Sequence, residues 1–487
     1  MMNNLKTQTS KGIFWKIAEN FGTAVVGFIV QIILARILFP EDYGILAITL
    51  VFINIANVFV TSGFTSAIIQ KKELSELELS SIYYINLLIS FVLFIIIIIF
   101  TPLISTFYNM PILKIILPVQ SFILILSGFN SIYTTLLTRK LEFKKSFNFK
   151  ILAVFVQGVV GILLAVYGFG IWALIISNYF NYFISTYFVR RYIRWRPTRQ
   201  FSLKTALELF KFGKNILFLS LINIGYNSFK TLLIGRSYDS KTLGYFSKGE
   251  QIPNLLMVNT DGAINSVMFP VLSKSQDDPK KLIKIYSRGI SLTTFLTFPM
   301  MLGLFILADS VILVLLTEKW ANSIIYMQIS TLICMTWPFS MRNQALNSVG
   351  KSHVSFKLDL LIKIITIILM IVSIKFGILY LLLANLLGSI IAIFIGFYVI
   401  KSEFDYSVYN QMKDVSGPLI SSILMALLLR YVLGYIDGDI YRLLIGIPLG
   451  MIIYFCLSFA FNYYNMKYYL DNFVQFYRKL LRKGELK

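Results

Sequence analysis

The chain has 487 residues, of which 57% are hydrophobic and only 14% are charged, and its mean hydropathy is +0.74. This composition excludes a disordered chain and argues against an ordinary soluble enzyme, because a soluble fold has too little interior for so much apolar surface. The formal net charge of +22 would fit a nucleic-acid partner, so the positions of the charged residues along the chain have to be considered.

Apolar segments long enough to cross a membrane recur along the whole chain. A helix that spans about 30 Å of hydrocarbon needs about 20 apolar residues. We predict such spans at residues 13–38, 45–65, 82–101, 115–137, 147–167, 171–189, 215–235, 245–272, 290–307, 324–349, 354–374, 377–400, 419–435 and 443–464. The predicted fold class is an all-α integral membrane protein with about 14 transmembrane helices. Its first apolar run is too long for the core of a signal peptide and is expected to be retained.

Basic residues are distributed unevenly between the two predicted sides of the membrane. With the N-terminus inside, the cytoplasmic segments together carry the whole net charge of +22. This is the positive-inside bias of membrane proteins, so we predict a multi-pass protein with both termini in the cytoplasm. The basic surface is expected to attract anionic membrane lipid, and no nucleic acid is expected as a partner.

Cysteine and histidine are scarce, with two Cys and one His in the chain. Cys334 and Cys456 lie inside predicted spans and are expected to be buried apolar residues rather than a disulfide. His353 lies in a predicted cytoplasmic loop. These three residues cannot assemble a typical soft-metal site, so we expect no metal and no cofactor. Residues 345–352 fit a relaxed phosphate-loop pattern, but they lack the preceding strand and are interpreted as a chance match.

A shift of 200 residues aligns two short segments that occupy matching places. Residues 36–44 (RILFPEDYG) end the first predicted span, and residues 236–244 (RSYDSKTLG) end the seventh. Because six spans is an even number, the two halves enter the membrane in the same orientation, as parallel repeats of a transporter do. We predict an N-terminal lobe (1–189), a basic cytoplasmic linker (190–214), a C-terminal lobe (215–400), two further spans (401–464) and a basic amphipathic cytoplasmic tail (465–487).

Spans 1, 2, 7 and 8, which correspond in the two repeats, carry polar residues at helical spacing. Polar groups inside a membrane are costly and commonly face a cavity, so we predict one cavity between the halves. Its candidate substrate-binding residues are Asn54, Asn57, Asn223, Asn227, Lys230, Asn254 and Asn265, with Arg36 near the outer rim. Glu19 and Asp261 are the ion-coupling candidates, and no catalytic residue is expected. The alternative is that the stripes only join helices through interhelical hydrogen bonds.

Several short motifs in order along the chain are similar to those of one transporter family. The first half contains ARILFPEDYGILA (35–47), SGFTSAIIQK (62–71), LTRKLEFK (137–144) and GFGIWAL (168–174). The second half contains LGYFSK (243–248), FPVLS (269–273) and EKW (318–320). Together they resemble bacterial polysaccharide flippases, the Wzx-like branch of the multidrug/oligosaccharidyl-lipid/polysaccharide (MOP) superfamily, up to about residue 400.

This resemblance implies two six-helix lobes plus two extra spans in the bacterial cytoplasmic membrane. It implies export of an undecaprenyl-pyrophosphate-linked oligosaccharide by alternating access, for surface polysaccharide biosynthesis, and no enzymatic activity. A polysaccharide polymerase and the chain-length machinery are candidate protein partners. Two alternatives stay open: a cation-coupled multidrug antiporter of the same superfamily, and a membrane-embedded polysaccharide polymerase or ligase, for which large outer loops with Arg and His would be expected.

Overall fold

The structure, a computed structural model, describes residues 2–71 and 73–461. Helices account for nearly all of these residues and no strand occurs among them. The helices are α1 (Met2–Ile37), α2 (Pro40–Gln70), α3 (Glu76–Phe107), α4 (Leu113–Ser121), α5 (Ile123–Arg139), α6 (Phe143–Val166), α7 (Ile171–Ile193), α8 (Leu203–Ser237), α9 (Ser240–Ser273), α10 (Pro279–Ile306), α11 (Ala308–Leu316), α12 (Ser323–Cys334), α13 (Met341–Ser348), α14 (Ser352–Ser373), α15 (Ile378–Phe404), α16 (Val408–Leu433) and α17 (Asp439–Phe461). The predicted cytoplasmic tail, 465–487, lies outside the described residues.

Every predicted span coincides with a helix or with two consecutive helices. Twelve helical segments of the described chain are long and apolar enough to cross a membrane, and the chain is an all-helical, multi-pass integral membrane protein. Helices α7 and α14 occupy two more predicted spans and have 23 and 22 residues. The asparagines of α7 lower its mean hydropathy, and α14 carries three charged residues, Lys357, Asp359 and Lys363.

Within the predicted linker 190–214, α7 continues to Ile193 and α8 begins at Leu203. The linker residues between them are fixed on α3, where the Ser80 hydroxyl accepts a hydrogen bond from the Thr198 N–H at 2.9 Å. Cys456 was expected to be buried but is exposed, since the helix that carries it, α17, turns much of its apolar surface outward.

The described residues form two compact units that divide between residues 247 and 248. In the first unit, α6 packs against α1 and α7, α5 packs against α2, α3 and α7, and α8 packs along α2. An aromatic core is centred on Tyr83, whose ring lies 6.4 Å from that of Tyr133 and 5.9 Å from that of Trp195. The predicted division into repeat-related lobes at 189 and 215 stays a prediction.

The second unit is built around α10 and α16, with α17 packed on α16 and α14 on α15. Buried polar side chains join these helices. The Gln411 side chain of α16 donates hydrogen bonds to the carbonyl oxygens of Phe397 and Tyr406 at 3.0 and 2.9 Å. The Tyr454 hydroxyl of α17 donates to the Phe295 carbonyl of α10 at 2.9 Å. Each of these buried donors is therefore satisfied within the bundle, as a membrane interior requires.

Candidate transport site and its outer rim

The two repeat segments have the same local structure. Helices α1 and α2 are joined by two residues, and so are α8 and α9 at positions that differ by 200. An aspartate stabilises each connection: the Asp42 carboxylate accepts a hydrogen bond from the Phe39 N–H at 3.1 Å, and the Asp239 carboxylate accepts one from the Thr242 N–H at 3.0 Å. The helix ends at these two places are therefore offset by the same 200 residues as the sequence segments, and the relation of the two halves as repeats stays a prediction.

The starts of α2 and α9 cross at a reciprocal glycine contact, which we call the rim crossing. A Cβ atom added at Gly44 would overlap the carbonyl oxygen of Ser240, and one added at Gly244 would overlap the carbonyl oxygen of Pro40. Both positions are fully helical, so glycine is required by the close approach of the two backbones and not by its conformational freedom. The rim crossing joins the two repeat segments within the first unit.

Charged side chains flank the rim crossing. The Lys241 ammonium lies 3.7 Å from the Glu41 carboxylate, but both side chains are about half exposed, so the pair contributes little stability. Arg36, predicted at the outer rim, is exposed on the last turn of α1. Its repeat equivalent, Arg236, places its guanidinium 4.9 Å from the centre of the Phe107 ring. The rim therefore combines a close backbone contact with exposed cations.

Helices α2 and α8 contact each other at two glycine positions of α8. The stretch of α8 between these two contacts is longer than the corresponding stretch of α2. Near one end the backbones of Gly63 and Gly213 are in direct contact, and near the other Gly235 lies against the Ile48 side chain. At 1.5 Å per residue these intervals measure roughly 22 Å along α2 and 33 Å along α8. Gly225, where an added Cβ would meet nothing within 4 Å, lies near the middle of this stretch of α8.

The predicted polar residues of α2 and α8 lie in this interval. The side chains of Asn54, Asn223 and Asn227 are exposed there. Asn57 behaves differently, because its side-chain oxygen accepts a 2.6 Å hydrogen bond from the Ser127 hydroxyl of α5. The structure thus brings three of the predicted asparagines to one pair of neighbouring helices and assigns the fourth to helix packing.

Lys230 also lies in this interval of α8, close to its Gly235 end. Its side chain is half buried, and its ammonium lies 5.5 Å from the centre of the Phe246 ring of α9. A ring face stabilises a cation by about 0.5–2 kcal/mol. Lys230 is therefore a cation held inside the membrane-spanning part of the first unit.

Glu19 forms an ion-paired cluster between α1 and α6. Its side chain is only 1% exposed, and its carboxylate lies 2.6 Å from the Lys150 ammonium and 2.9 Å from that of Lys16. Lys150 is 131 residues away in sequence, so periodicity along α1 could not reveal this partner. The two lysines neutralise the carboxylate, and a role of Glu19 in ion coupling stays a prediction.

The candidates of the second unit lie along α9. The Asp261 carboxylate accepts a 2.8 Å hydrogen bond from the Asn265 side chain one turn later. The Asn254 side-chain oxygen accepts a weak hydrogen bond from the Cys334 thiol of α12 at 3.6 Å. Asn254 therefore contributes to packing, whereas Asp261 and Asn265 form a half-buried polar pair on one helix.

Two buried cations of the second unit were missed by the sequence analysis. Lys248 on α9 is 3% exposed, and its ammonium donates to the Gln251 side chain at 2.9 Å. Arg342 on α13 is 8% exposed and lies 3.9 Å from the Asp359 carboxylate. A cation inside a membrane is costly and commonly marks a transport path. The signal was present in the sequence, because both residues lie inside predicted spans, but neither belongs to a polar stripe.

Comparison with known proteins identifies the family. Residues 33–325 match the family described as "Polysaccharide biosynthesis protein". The chain is 24% identical over 471 residues to the succinoglycan biosynthesis transport protein ExoT of Rhizobium meliloti, covering 93% of this chain and 92% of ExoT. It is 26% identical over 330 residues to the lipopolysaccharide biosynthesis protein WzxC of Escherichia coli, covering 66% of each.

Solved structures show the same fold. The lipid II flippase MurJ in an inward closed conformation superposes with a TM-score of 0.73 at 19% identity, covering 92% of this chain and 98% of MurJ. An inward-facing multidrug resistance MATE transporter of the MOP superfamily gives a TM-score of 0.64 at 14% identity, covering 78% of this chain and 94% of the transporter. With a family match over more than half of its length, the chain belongs to the polysaccharide biosynthesis protein family, and it has the fold of the MurJ flippase and of MATE transporters.

Proposed function

We propose that the protein is a flippase that moves an undecaprenyl-pyrophosphate-linked oligosaccharide from the inner to the outer leaflet of the bacterial cytoplasmic membrane. The observation that carries this proposal is the set of polar residues on α2 and α8, Lys230 among them, in a chain that aligns over nearly its whole length with a succinoglycan transport protein. Amides that accept and donate hydrogen bonds suit sugar hydroxyls, and an ammonium suits a pyrophosphate.

The proposed architecture has fourteen spans, because α7 and α14 occupy predicted spans and are long enough to cross the membrane at 1.5 Å per residue. Six spans on each side of the 190–214 linker form the two lobes, and α16 and α17 follow as extra spans. Counted from a cytoplasmic N-terminus, this arrangement places the basic segments inside, in agreement with the positive-inside bias. The rim crossing then lies at the outer face.

The energetic task of such a flippase is to carry a charged sugar head across hydrocarbon while its tail stays in lipid. One charge at the bilayer centre costs from about 3 to above 10 kcal/mol. A hydrated path with amides and a cation lowers this cost, and Asn54, Asn223, Asn227 and Lys230 supply such groups. The basic cytoplasmic surface attracts anionic lipid and would concentrate the substrate before entry. A polymerase and chain-length machinery are candidate partners on the receiving side.

The direction of transport can follow from the membrane potential. Each charge gains about 2.3 kcal/mol per 100 mV, so the two charges of a pyrophosphate that leave a negative interior gain about 4–5 kcal/mol. Coupling to protons or sodium is the alternative. Of the two coupling candidates we favour Asp261, because its partner Asn265 is neutral, whereas Glu19 is already neutralised by two lysines.

The experiment uses purified protein in proteoliposomes that contain a fluorescent undecaprenyl-pyrophosphate-oligosaccharide in both leaflets. A membrane-impermeant quencher reports how fast the shielded pool becomes accessible. We expect fast exchange with the wild type, and a loss of about tenfold or more in Lys230→Ala, since one charge-assisted hydrogen bond is removed. Lys375→Ala, which removes an exposed cation from a short loop, is the matched control and should behave as the wild type.

A cation-coupled multidrug antiporter is the second candidate, favoured by the fold shared with MATE transporters and by the half-buried Asp261. It predicts that cells expressing the protein extrude cationic dyes and that Asp261→Asn abolishes extrusion. Dye extrusion without any acceleration of lipid-linked glycan exchange, in protein shown to be folded, would replace the flippase proposal by this one.

A further inference from the structure

A polar pocket of about 280 Å³ lies in the second unit, where the ends of α10 and α16 meet the beginning of α17. Two arginines, Arg430 of α16 and Arg442 of α17, line it together with Asp309 and Gln328. It lies at the same end of the helices as the α16–α17 connection. The pocket therefore holds opposite charges at one mouth of a membrane-spanning bundle.

One side of the pocket is fixed by hydrogen bonds. The Ser310 hydroxyl donates to the Asp439 carboxylate at 2.8 Å, and the Arg442 guanidinium lies 4.0 Å from the same carboxylate. The Arg442 Nε also donates to the Ile436 carbonyl oxygen at 2.8 Å. These bonds hold Arg442 in place and leave most of its five donors available.

The other two charges of the pocket are available for a ligand. Arg430 and Asp309 are exposed, and neither makes an ion pair with another residue in the described part of the chain. A guanidinium that presents paired donors suits a phosphate, and a carboxylate suits an ammonium. The pocket thus presents both signs of charge to one molecule.

An apolar cavity of about 520 Å³ adjoins the polar pocket and shares Leu307 with it. Its walls come from α10, α16 and α17 and include Phe295, Met425 and Phe455. Cavities of roughly 300–1,000 Å³ with apolar walls are typical of small-molecule sites. The polar pocket and the apolar cavity follow each other along the same three helices. The polar headgroup and the apolar acyl chain of a lipid follow each other in the same way.

We propose that these adjoining cavities bind one phospholipid whose zwitterionic head carries a phosphate and a primary ammonium. The phosphate binds Arg430 and Arg442, the ammonium binds Asp309, and one acyl chain fills the apolar cavity. Asp309 repels a purely anionic head, and a trimethylated ammonium cannot donate a hydrogen bond to it. The lipid is a bound component of the second unit and not the transported substrate.

The test measures lipid retention by native mass spectrometry of the purified full-length protein. The protein is supplied with phosphatidylethanolamine, phosphatidylglycerol, phosphatidylcholine or undecaprenyl phosphate, each at equal concentration. We expect one retained phosphatidylethanolamine, bound about tenfold more tightly than the other lipids, since one charge-assisted hydrogen bond distinguishes them. Arg430→Gln should weaken its binding about tenfold by the same reasoning. Asp309→Asn should remove the preference over phosphatidylglycerol, and Lys375→Gln is the charge-matched control.

A second variant tests the apolar cavity without touching the charges. A Cβ added at Gly303 would meet only the Met425 side chain at 4.0 Å, so Gly303→Val should fold and partly fill the cavity. It should lose phosphatidylethanolamine while its lipid-free melting temperature stays unchanged. Equal binding of phosphatidylglycerol by the wild type, tighter binding of undecaprenyl phosphate, or full retention in both Arg430→Gln and Gly303→Val would overturn the proposal.

Discussion

Replacing Gly244 by alanine should separate the two helix starts that meet at the rim crossing. The Cβ of the new residue would lie 1.9 Å from the Pro40 carbonyl oxygen. Real Cβ atoms stay at least 3.0 Å from such an atom, so the backbones must move apart by about 1.1 Å. Overpacking of this kind costs about 1–3 kcal/mol, and it acts only on the conformation in which the crossing is closed.

This cost changes the equilibrium constant between the closed and the open rim crossing by about 5- to 150-fold in favour of the open form, since about 1.4 kcal/mol is a factor of ten. Spin labels at Glu41 and Lys241, in a background without native cysteines, report the separation by pulsed electron spin resonance. We expect a longer distance to gain population in Gly244→Ala. Gly225→Ala, where the added Cβ meets nothing within 4 Å, should leave the distances as in wild type. Identical distance distributions in both variants would refute the role assigned to the rim crossing.

Three further predictions concern the remaining polar groups. Lys150→Ala should lower the free energy of unfolding by about 1–3 kcal/mol because it leaves buried Glu19 with one half-exposed partner, and Glu19→Gln in the same chain should restore part of the loss in a thermal-unfolding assay. Asn57→Ala breaks the hydrogen bond to Ser127 of α5, so it should lower the free energy of unfolding by about 1 kcal/mol and with it the melting temperature. Asn54→Ala should instead slow glycan exchange while the melting temperature stays unchanged. The hydrogen bonds to Thr242 at the first turn of α9 lower the pKa of the Asp239 carboxyl. The ionised carboxylate therefore stabilises the fold fully above its ordinary pKa, and this stabilisation is lost as the pH falls through the lowered pKa. When melting temperatures are measured over a series of pH values, Asp239→Asn should lack this decrease at acid pH.

The membrane-spanning helices were predictable because each requires a long apolar segment, and hydropathy along the chain records such segments directly. The paired segments 36–44 and 236–244 were also predictable, since their 200-residue offset is visible in the sequence. The repeat in the sequence does not show that Gly44 lies against the backbone of α9 and Gly244 against the backbone of α2. These contacts depend on how the two helices cross.

Side-chain partners from other helices were the part that the sequence concealed. Periodicity placed Glu19 on a polar stripe, but the lysine that neutralises it comes from α6. Asn57 and Asn54 share one predicted face, yet only Asn57 meets a hydroxyl on α5. Lys248 was overlooked because a single buried cation forms no pattern. Burial and partners follow from tertiary packing, which helical spacing alone does not determine.

The proposed flippase activity is tested by exchange of a fluorescent lipid-linked oligosaccharide in proteoliposomes with and without an imposed membrane potential. We expect rapid exchange, faster outward movement when the interior is negative, and a loss of about tenfold or more in Lys230→Ala but not in Lys375→Ala. Exchange no faster than in protein-free vesicles, with folded protein and several lipid-linked glycans, would contradict it.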